Sequence, residues 1–217
     1  MESRLGFIHR FEAATNAAAP ALLLLHGAGG DENSLIALGR AIAPGAALLS
    51  PRGKVEDSGS SRFFERSEQG HDDHDELNQR TKELAAFVSK AVIAYGLPRT
   101  RLLLLGFSAG ATIGVRLLLQ AADQFGGAVL MRGLCPVYGL AGAPATLDGK
   151  PVLLLSGIHD PLVQSDQAQE LAVFLREAGA DVTLHWEEAG HSLSQGDVLM
   201  AFDWVRPFYV TQRSDAK

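Results

Sequence analysis

Residues 101–112, RLLLLGFSAGAT, join a run of leucines to a Gly-x-Ser-x-Gly motif and a segment of small residues. The leucine run predicts a strand buried on both faces, and the small residues after Ser108 have helical spacing. A serine on the tight turn between two such elements projects its hydroxyl outward, provided that the residues two before and two after it lack side chains. Gly106 and Gly110 meet this requirement. The stretch therefore predicts an exposed serine at a helix N terminus, where amides and the helix dipole face charge developing on a bound carbonyl oxygen.

Strand and helix patterns alternate on both sides of this unit. Further strands are predicted within residues 5–11, 21–25, 46–50, 127–131, 151–156 and 182–188. Helices are predicted from Asn33 to Ile42, from Leu77 to Tyr95, after Ser108, from Asp166 to Ala178 and, behind a Ser194–Asp197 capping box, up to Val205. This alternation predicts an α/β fold with a mostly parallel central sheet and helices on both faces. Residues 1–217 are expected to form a single domain without a large cap insertion.

Composition argues against several classes of protein. A net charge of −6 gives no indication of binding to nucleic acid or to an anionic membrane. The longest apolar run, residues 17–25, contains Pro20 and is too short to span a bilayer. The single cysteine, Cys135, excludes an intramolecular disulfide, fits a reducing compartment and is interpreted as a small buried hydrophobe. With no signal-peptide pattern at Met1–Arg4, a cytoplasmic protein is predicted.

The side chains that acyl transfer by serine requires occur in a characteristic order along the chain. A serine nucleophile needs a base to take its proton and an acid to orient that base. Ser108, Asp160 and His191 provide these groups in the order Ser, Asp, His, which is the α/β-hydrolase order. Each follows a predicted strand, and ligands bind beyond the carboxyl ends of parallel strands. We therefore expect the three side chains to meet there.

Other residues are weaker candidates for the same roles. Asp166 is a second candidate for the acid, because Asp160 precedes Pro161 and could simply form a turn. Three other histidines are less suited to act as the base because each lies in or beside a predicted strand: His26, His159 and His185.

Backbone amides for a developing oxyanion are expected at two places. The N–H of Ala109 follows the serine directly. A second donor, the N–H of Ala28, is expected in the glycine-rich segment His26–Glu32. This segment contains neither G-x-G-x-x-G nor a Walker lysine, so a phosphate-binding loop is not favoured.

Residues 52–73 are predicted to form a functional loop or lid, since an irregular stretch of this length is uncommon inside a compact domain. Phe63 and Phe64 either line an acyl or aromatic pocket or anchor the loop on the core. The segment His71–Glu76 could bind a metal, but acidic residues entering a helix are expected from the helix dipole alone. No metal site is therefore predicted.

Six motifs carry a family resemblance: HGAGGDE (26–32), SPRG (50–53), RFF (62–64), GFSAG (106–110), GIHDPLV (157–163) and GHSL (190–193). In this order they resemble the phospholipase/carboxylesterase family of α/β-hydrolases, which includes the acyl-protein thioesterases, and the resemblance covers residues 20–205. It implies hydrolysis of carboxylic esters, sometimes thioesters, without a metal or organic cofactor. It also implies Ser108 as nucleophile, Asp160 as acid, His191 as base, and the amides of Ala28 and Ala109 as oxyanion donors. A homodimer is compatible with the family.

Two features bear on the substrate. Ala109 stands where the thioesterase branch usually has glutamine, and the HGAGGDE and RFF segments are more similar to the bacterial carboxylesterase branch. Small-molecule esters with acyl or aryl groups are therefore favoured over lipidated proteins. The pocket is expected to involve Phe63, Phe64, Phe107, Leu162 and Val163. Two alternatives stay open: an acyl thioesterase or lysophospholipase with the same triad, and a non-catalytic ligand-binding protein on a hydrolase scaffold.

Overall fold

The computed structural model describes residues 5–57, 59–65, 74–135 and 146–210. Its strands are β1 (His9–Glu12), β2 (Ala21–Leu25), β3 (Ala47–Pro51), β4 (Val55–Asp57), β5 (Ser60–Arg62), β6 (Leu102–Phe107), β7 (Gly127–Met131), β8 (Pro151–Gly157) and β9 (Asp181–Glu187). Within the described ranges, seven of them form one sheet in the order β1-β3-β2-β6-β7-β8-β9, and β4 pairs with β5. β1 is antiparallel to β3, and the other neighbours in the large sheet are parallel. The predicted mostly parallel sheet is confirmed.

Helices cover both faces of the sheet. They are α1 (Ile36–Ile42), α2 (His74–Tyr95), α3 (Ala109–Gln120), α4 (Ser165–Glu177) and α5 (Gln195–Val205). Successive side chains of a strand point to opposite faces, so alternate leucines of β2 enter different cores. Leu23 and Leu25 belong to the core cluster that includes residues of α2, α3 and α4, whereas Leu22 and Leu24 belong to the cluster that includes residues of α1 and α5. Burial on both faces explains why β2 is a continuous apolar run.

The architecture is that of an α/β-hydrolase, as predicted. None of the segments that the structure describes forms a large cap over the sheet. None of its helices, within those same ranges, combines the length and the hydropathy needed to cross a membrane. Cys135 is partly buried and packs against the core, in line with its interpretation as a small hydrophobe.

Two predicted elements, β1 and α1, begin later than the sequence pattern suggested, and α2 begins earlier, at His74. β1 begins at His9, whereas the sequence pattern suggested a start at Leu5. α1 begins at Ile36, and the predicted Asn33 cap is absent because Asn33 lies in a turn. There the Asn33 N–H donates to the Asp31 carboxylate at 2.8 Å, and the Ser34 N–H donates to the Asp31 carbonyl at 3.2 Å. Asp31, and not the Asn33 side chain, therefore accepts these two backbone N–H groups at the turn.

The described part of the predicted loop, residues 52–57 and 59–65, contains a short hairpin where an irregular loop was predicted. Val55 pairs with Arg62 in the β4–β5 hairpin, whose turn includes Gly59 at a φ of 83°. Each strand has only three residues, too few for an alternating pattern to indicate a strand. Residues 66–73 lie outside the described ranges, and with them His71–Asp73 of the segment considered for metal binding.

Candidate active site

Ser108 lies on the turn between β6 and α3 with a φ of 54°. A non-glycine residue in this left-handed region costs about 1–3 kcal/mol, so the surrounding structure must hold it there. The Ser108 N–H donates to the Met131 carbonyl at the end of β7, at 2.9 Å. The Ser108 carbonyl in turn accepts from the N–H groups of Ala111 and Thr112, at 2.9 and 3.0 Å. The turn is thereby fixed between the sheet and the helix.

The two glycines of the motif are required by close backbone approaches. A Cβ at Gly110 would lie 2.0 Å from the Leu25 carbonyl oxygen, at the end of β2. A Cβ at Gly106 would lie 2.7 Å from the Cα of Ala111, inside the first turn of α3. Both separations are below any real contact, so a side chain at either position would push α3 away from the sheet. The two glycines therefore allow α3 to pack closely enough on the sheet to hold Ser108 at the carboxyl end of β6.

The structure brings together the three side chains singled out in the sequence. His191 Nε2 lies 2.9 Å from Ser108 Oγ, and His191 Nδ1 lies 2.8 Å from Asp160 Oδ2. Since the carboxylate can only accept, Nδ1 carries the proton and Nε2 is free to accept from the serine hydroxyl. The His191 side chain is 21% exposed, so solvent and substrate can reach it.

Asp160 is anchored by backbone amides. Its carboxylate is fully buried, and Oδ1 accepts from the N–H groups of Leu162 and Val163, at 2.8 and 3.1 Å. Oδ2 is left to face His191. These amides stabilise the ionised carboxylate, which in turn fixes the orientation of the imidazole.

The weaker candidates lie elsewhere. Asp166 is exposed in the first turn of α4, where its carboxylate accepts from the Gln167 N–H at 2.9 Å. His159 pairs with Glu188 at 3.1 Å, and His185 lies 3.4 Å from Glu187 on the same strand. His26 is buried, with both ring nitrogens bonded to backbone groups.

A cavity of about 190 Å³ opens above the serine. Its described lining comprises Ala28, Arg62, Phe64, Ser108, Ala109, Thr112, Arg132, Leu134, Leu162, Val163 and His191. Ala28 and Ala109 thus border the same space as the Ser108 hydroxyl. Ala109 is the first residue of α3, and the N–H groups of a first turn have no intrahelical acceptor. These amides are placed where a substrate carbonyl oxygen could accept from them.

Two of the five pocket residues expected from the sequence do not line this cavity. Phe64, Leu162 and Val163 do so, whereas Phe63 and Phe107 face other side chains. Phe63 is buried with its ring 4.6 Å from the ring of His26. Phe107 lies 5.4 Å from the His191 ring, centroid to centroid. Phe64 thus faces the cavity, whereas Phe63 anchors the bend after β5 on the core.

Arg132 and Asp197 form a buried ion pair that was not predicted from the sequence. Arg132 follows β7 directly with a φ of 55°, and its guanidinium donates twice to the Asp197 carboxylate, at 2.9 and 2.7 Å. Its Nε donates to the Gly190 carbonyl, at 3.0 Å, next to His191. The available signal was the position of Arg132 at the carboxyl end of a buried strand, where functional residues of such sheets concentrate.

The arrangement can perform general-base-assisted nucleophilic attack. A hydroxyl, an imidazole and a carboxylate are linked in series by hydrogen bonds, and amides border the space where a carbonyl would bind. Among the residues that the structure describes, no three His, Cys, Asp or Glu side chains are grouped so that they could hold a metal ion.

The sequence matches one protein family and a bacterial relative over most of its length. The sequence profile of the phospholipase/carboxylesterase family matches residues 8–206. MhqD of Bacillus subtilis (strain 168) is 38% identical over 185 residues, which cover 85% of this chain and 92% of MhqD.

Solved structures of carboxylesterases superpose closely on this chain. The Bacillus cereus carboxylesterase is 37% identical and superposes with a TM-score of 0.87, covering 94% of this chain and 95% of its own. The Mesorhizobium loti carboxylesterase is 29% identical, with a TM-score of 0.80 over 90% of this chain and 98% of its own.

Proposed function

This chain belongs to the phospholipase/carboxylesterase family of α/β-hydrolases, and on that basis we propose that it is a serine hydrolase that cleaves small carboxylic esters through an acyl-enzyme intermediate. The observation that carries the proposal is the continuous series of hydrogen bonds from Ser108 through His191 to Asp160. Its reactive end opens into the cavity. Ser108 is the nucleophile, His191 the general base and Asp160 the acid that orients the base.

The first half of the reaction forms the acyl-enzyme. His191 Nε2 accepts the hydroxyl proton as Ser108 Oγ attacks the ester carbonyl carbon. The carbonyl oxygen becomes an oxyanion that accepts from the N–H groups of Ala28 and Ala109. When the tetrahedral intermediate collapses, the carbon–oxygen bond to the alcohol breaks and His191 returns the proton to the departing oxygen.

The second half releases the acid. A water molecule gives a proton to His191 Nε2 while its oxygen attacks the acyl carbon. Collapse of this second intermediate breaks the bond to Ser108 Oγ, which regains its proton from His191. The N–H groups of Leu162 and Val163 hold the Asp160 carboxylate in place, and it stabilises the imidazolium formed in each half.

The cavity supports a small acyl or aryl substrate. Phe64, Leu134, Leu162 and Val163 provide apolar walls around the serine. A volume of about 190 Å³ accommodates a short chain or a single ring more readily than a long acyl chain. Two solved relatives carry the name carboxylesterase.

The test is hydrolysis of p-nitrophenyl esters from acetate to decanoate, with a matched thioester series. Ser108→Ala is expected to lower kcat by about 10⁶-fold without unfolding the protein. Ser192→Ala, which changes an exposed serine beside His191, is the matched control and should keep wild-type activity. A preference for short esters supports the proposal, whereas faster turnover of thioesters favours the thioesterase alternative. A folded protein that cleaves neither series and is not labelled by a fluorophosphonate is a binding protein instead.

A further inference from the structure

His26 is a buried histidine that the proposed reaction does not use. It follows β2, begins the glycine-rich segment and is 1% exposed. Its Nδ1 lies 2.7 Å from the Gly27 carbonyl oxygen, and its Nε2 accepts from the Gly53 N–H at 3.0 Å. The Phe63 ring packs on it, and a Cβ at Gly30 would come within 3.0 Å of it. The ring is therefore confined on several sides.

The Gly27 carbonyl and the Gly53 N–H determine which nitrogen of the His26 imidazole carries the proton. The Gly53 N–H can only donate, so Nε2 must present a lone pair. The Gly27 carbonyl can only accept, so Nδ1 must carry the proton. The imidazole is therefore neutral, as the Nδ1–H tautomer, and burial lowers its pKa, which favours that neutral form.

The Gly27 carbonyl belongs to the same peptide unit as the Ala28 N–H. In a planar trans peptide the C=O and the N–H point in opposite directions. The carbonyl accepts from His26 Nδ1 and, at 3.1 Å, from the Gly30 N–H, so the peptide plane is held from the carbonyl side. Ala28 lines the cavity together with Ser108. A rotation of this peptide would turn the Ala28 N–H away from a bound carbonyl oxygen.

We propose that His26 is a positioning residue for oxyanion stabilisation, holding the Gly27–Ala28 peptide so that the Ala28 N–H is directed into the cavity. The inference rests on the proposed hydrolase function, and His26 touches no substrate. Through Nε2 it also joins this peptide to Gly53, which precedes the β4–β5 hairpin; Arg62 at the end of that hairpin and Phe64 just beyond it both line the cavity. The Gly29 N–H, which donates to the Ser61 carbonyl at 3.0 Å, is a second link between the two segments.

Two substitutions separate the two hydrogen bonds. In His26→Asn the side-chain amide nitrogen can take the place of Nδ1 and keep the donor to Gly27. In His26→Gln the side-chain carbonyl can take the place of Nε2 and keep only the acceptor for Gly53. His26→Asn is expected to keep kcat within about threefold of wild type, whereas His26→Gln should lose about 10- to 100-fold in kcat with KM within about twofold, somewhat less than deletion of an oxyanion donor.

Further readouts separate positioning from general stability. A trifluoromethyl ketone that forms a tetrahedral adduct with Ser108 should bind His26→Gln more weakly, in proportion to the loss in kcat/KM. A competitive inhibitor that forms no adduct should bind both variants as it binds wild type. Equal kcat values in the two folded variants, or equal losses accompanied by equal falls in thermal midpoint, would overturn the inference.

The outcomes also separate this inference from the proposed function. Wild-type activity that depends on Ser108, combined with an unchanged kcat in His26→Gln, refutes the inference alone. A wild type inactive on all esters and thioesters refutes both. If neither variant folds, 15N NMR of the wild-type imidazole decides: the Nδ1–H tautomer supports the inference, and the Nε2–H tautomer overturns it.

Discussion

Arg132 and Asp197 form a bidentate ion pair in which both side chains are fully inaccessible to solvent. The same guanidinium donates to the carbonyl of Gly190, the residue before His191. The pair connects the end of β7 with the first turn of α5. Removing one member of a buried pair leaves an uncompensated charge, which costs about 3–5 kcal/mol. The position of His191, the proposed general base, thus depends on a contact whose loss costs several kcal/mol.

Asp197→Ala is therefore expected to lower the free energy of unfolding by about 3–5 kcal/mol, measured by urea denaturation. Asp197 also accepts from the Ser194 N–H in the capping box at the start of α5. Ser194→Ala removes the other half of the box and should cost only about 1 kcal/mol, so it isolates the capping contribution. A double variant, Arg132→Met with Asp197→Leu, should recover much of the loss. If Asp197→Ala and Ser194→Ala lower the free energy of unfolding equally, the ion pair contributes nothing to stability.

Gly110→Ala is expected to destabilise the fold by about 3 kcal/mol, because its Cβ would lie 2.0 Å from the Leu25 carbonyl oxygen and the backbone of α3 or β2 would have to shift. Gly190→Ala is the matched control beside the same site: its Cβ would meet nothing closer than 3.6 Å. Thermal unfolding of the two variants measures the difference. A Gly110→Ala protein as stable as Gly190→Ala would show that α3 can move away from β2 at little cost.

Much of the fold was predictable because its signals are local. The leucine runs of β2 and β6 indicate strands buried on both faces, and the Ser194–Asp197 capping box marks the start of α5. The glycines flanking Ser108 indicate the turn. Asp160 and His191 were identifiable because each directly follows a strand with a clear pattern.

The features that the sequence did not predict depend on contacts between residues or on local chain bends that leave no sequence pattern. Arg132 is a single charged residue after a strand, and its partner lies 65 residues further along the chain, so no spacing connects them. Phe63 and Phe64 are chemically equivalent in the sequence. Which ring faces the cavity and which packs on His26 depends on how the chain bends after β5, and the sequence carries no signal for that bend. The cytoplasmic location and the homodimer stay predictions.

Asp160→Asn is expected to lower kcat by about 10⁴-fold while the protein stays folded. The N–H groups of Leu162 and Val163 require the amide oxygen on their side, so the amide NH2 faces His191 Nδ1. His191 must then accept at Nδ1 and carry its proton on Nε2, where it can no longer take the proton of Ser108. Asp166→Asn, a change of the exposed aspartate that was the second candidate for this role, should leave ester hydrolysis unchanged. Steady-state kinetics on one ester compare the two variants, and equal kcat values would remove Asp160 from the mechanism.

The stability contribution of His26 should depend on pH in a defined direction. Burial is the largest influence on its imidazole and lowers the pKa below the ordinary value, outweighing the nearby carboxylates Asp31 and Glu32, with Arg52 adding a small effect of the same sign as burial. Below a pH of about 6.5 the unfolded chain therefore binds a proton at this position that the folded protein does not.

Since stability rises with pH wherever the unfolded state binds more protons, the contribution is complete above about pH 6.5 and declines as pH falls towards the lowered folded-state pKa. His26→Asn has no titrating group at this position, so subtracting its free energy of unfolding removes contributions common to both proteins. Urea denaturation between pH 8 and pH 5 should show the wild-type advantage shrinking at low pH by at most about 1.4 kcal/mol per pH unit. An advantage that stays constant or grows as pH falls would mean that the folded protein protonates His26 as readily as the unfolded chain, and Nε2 could then no longer accept from Gly53.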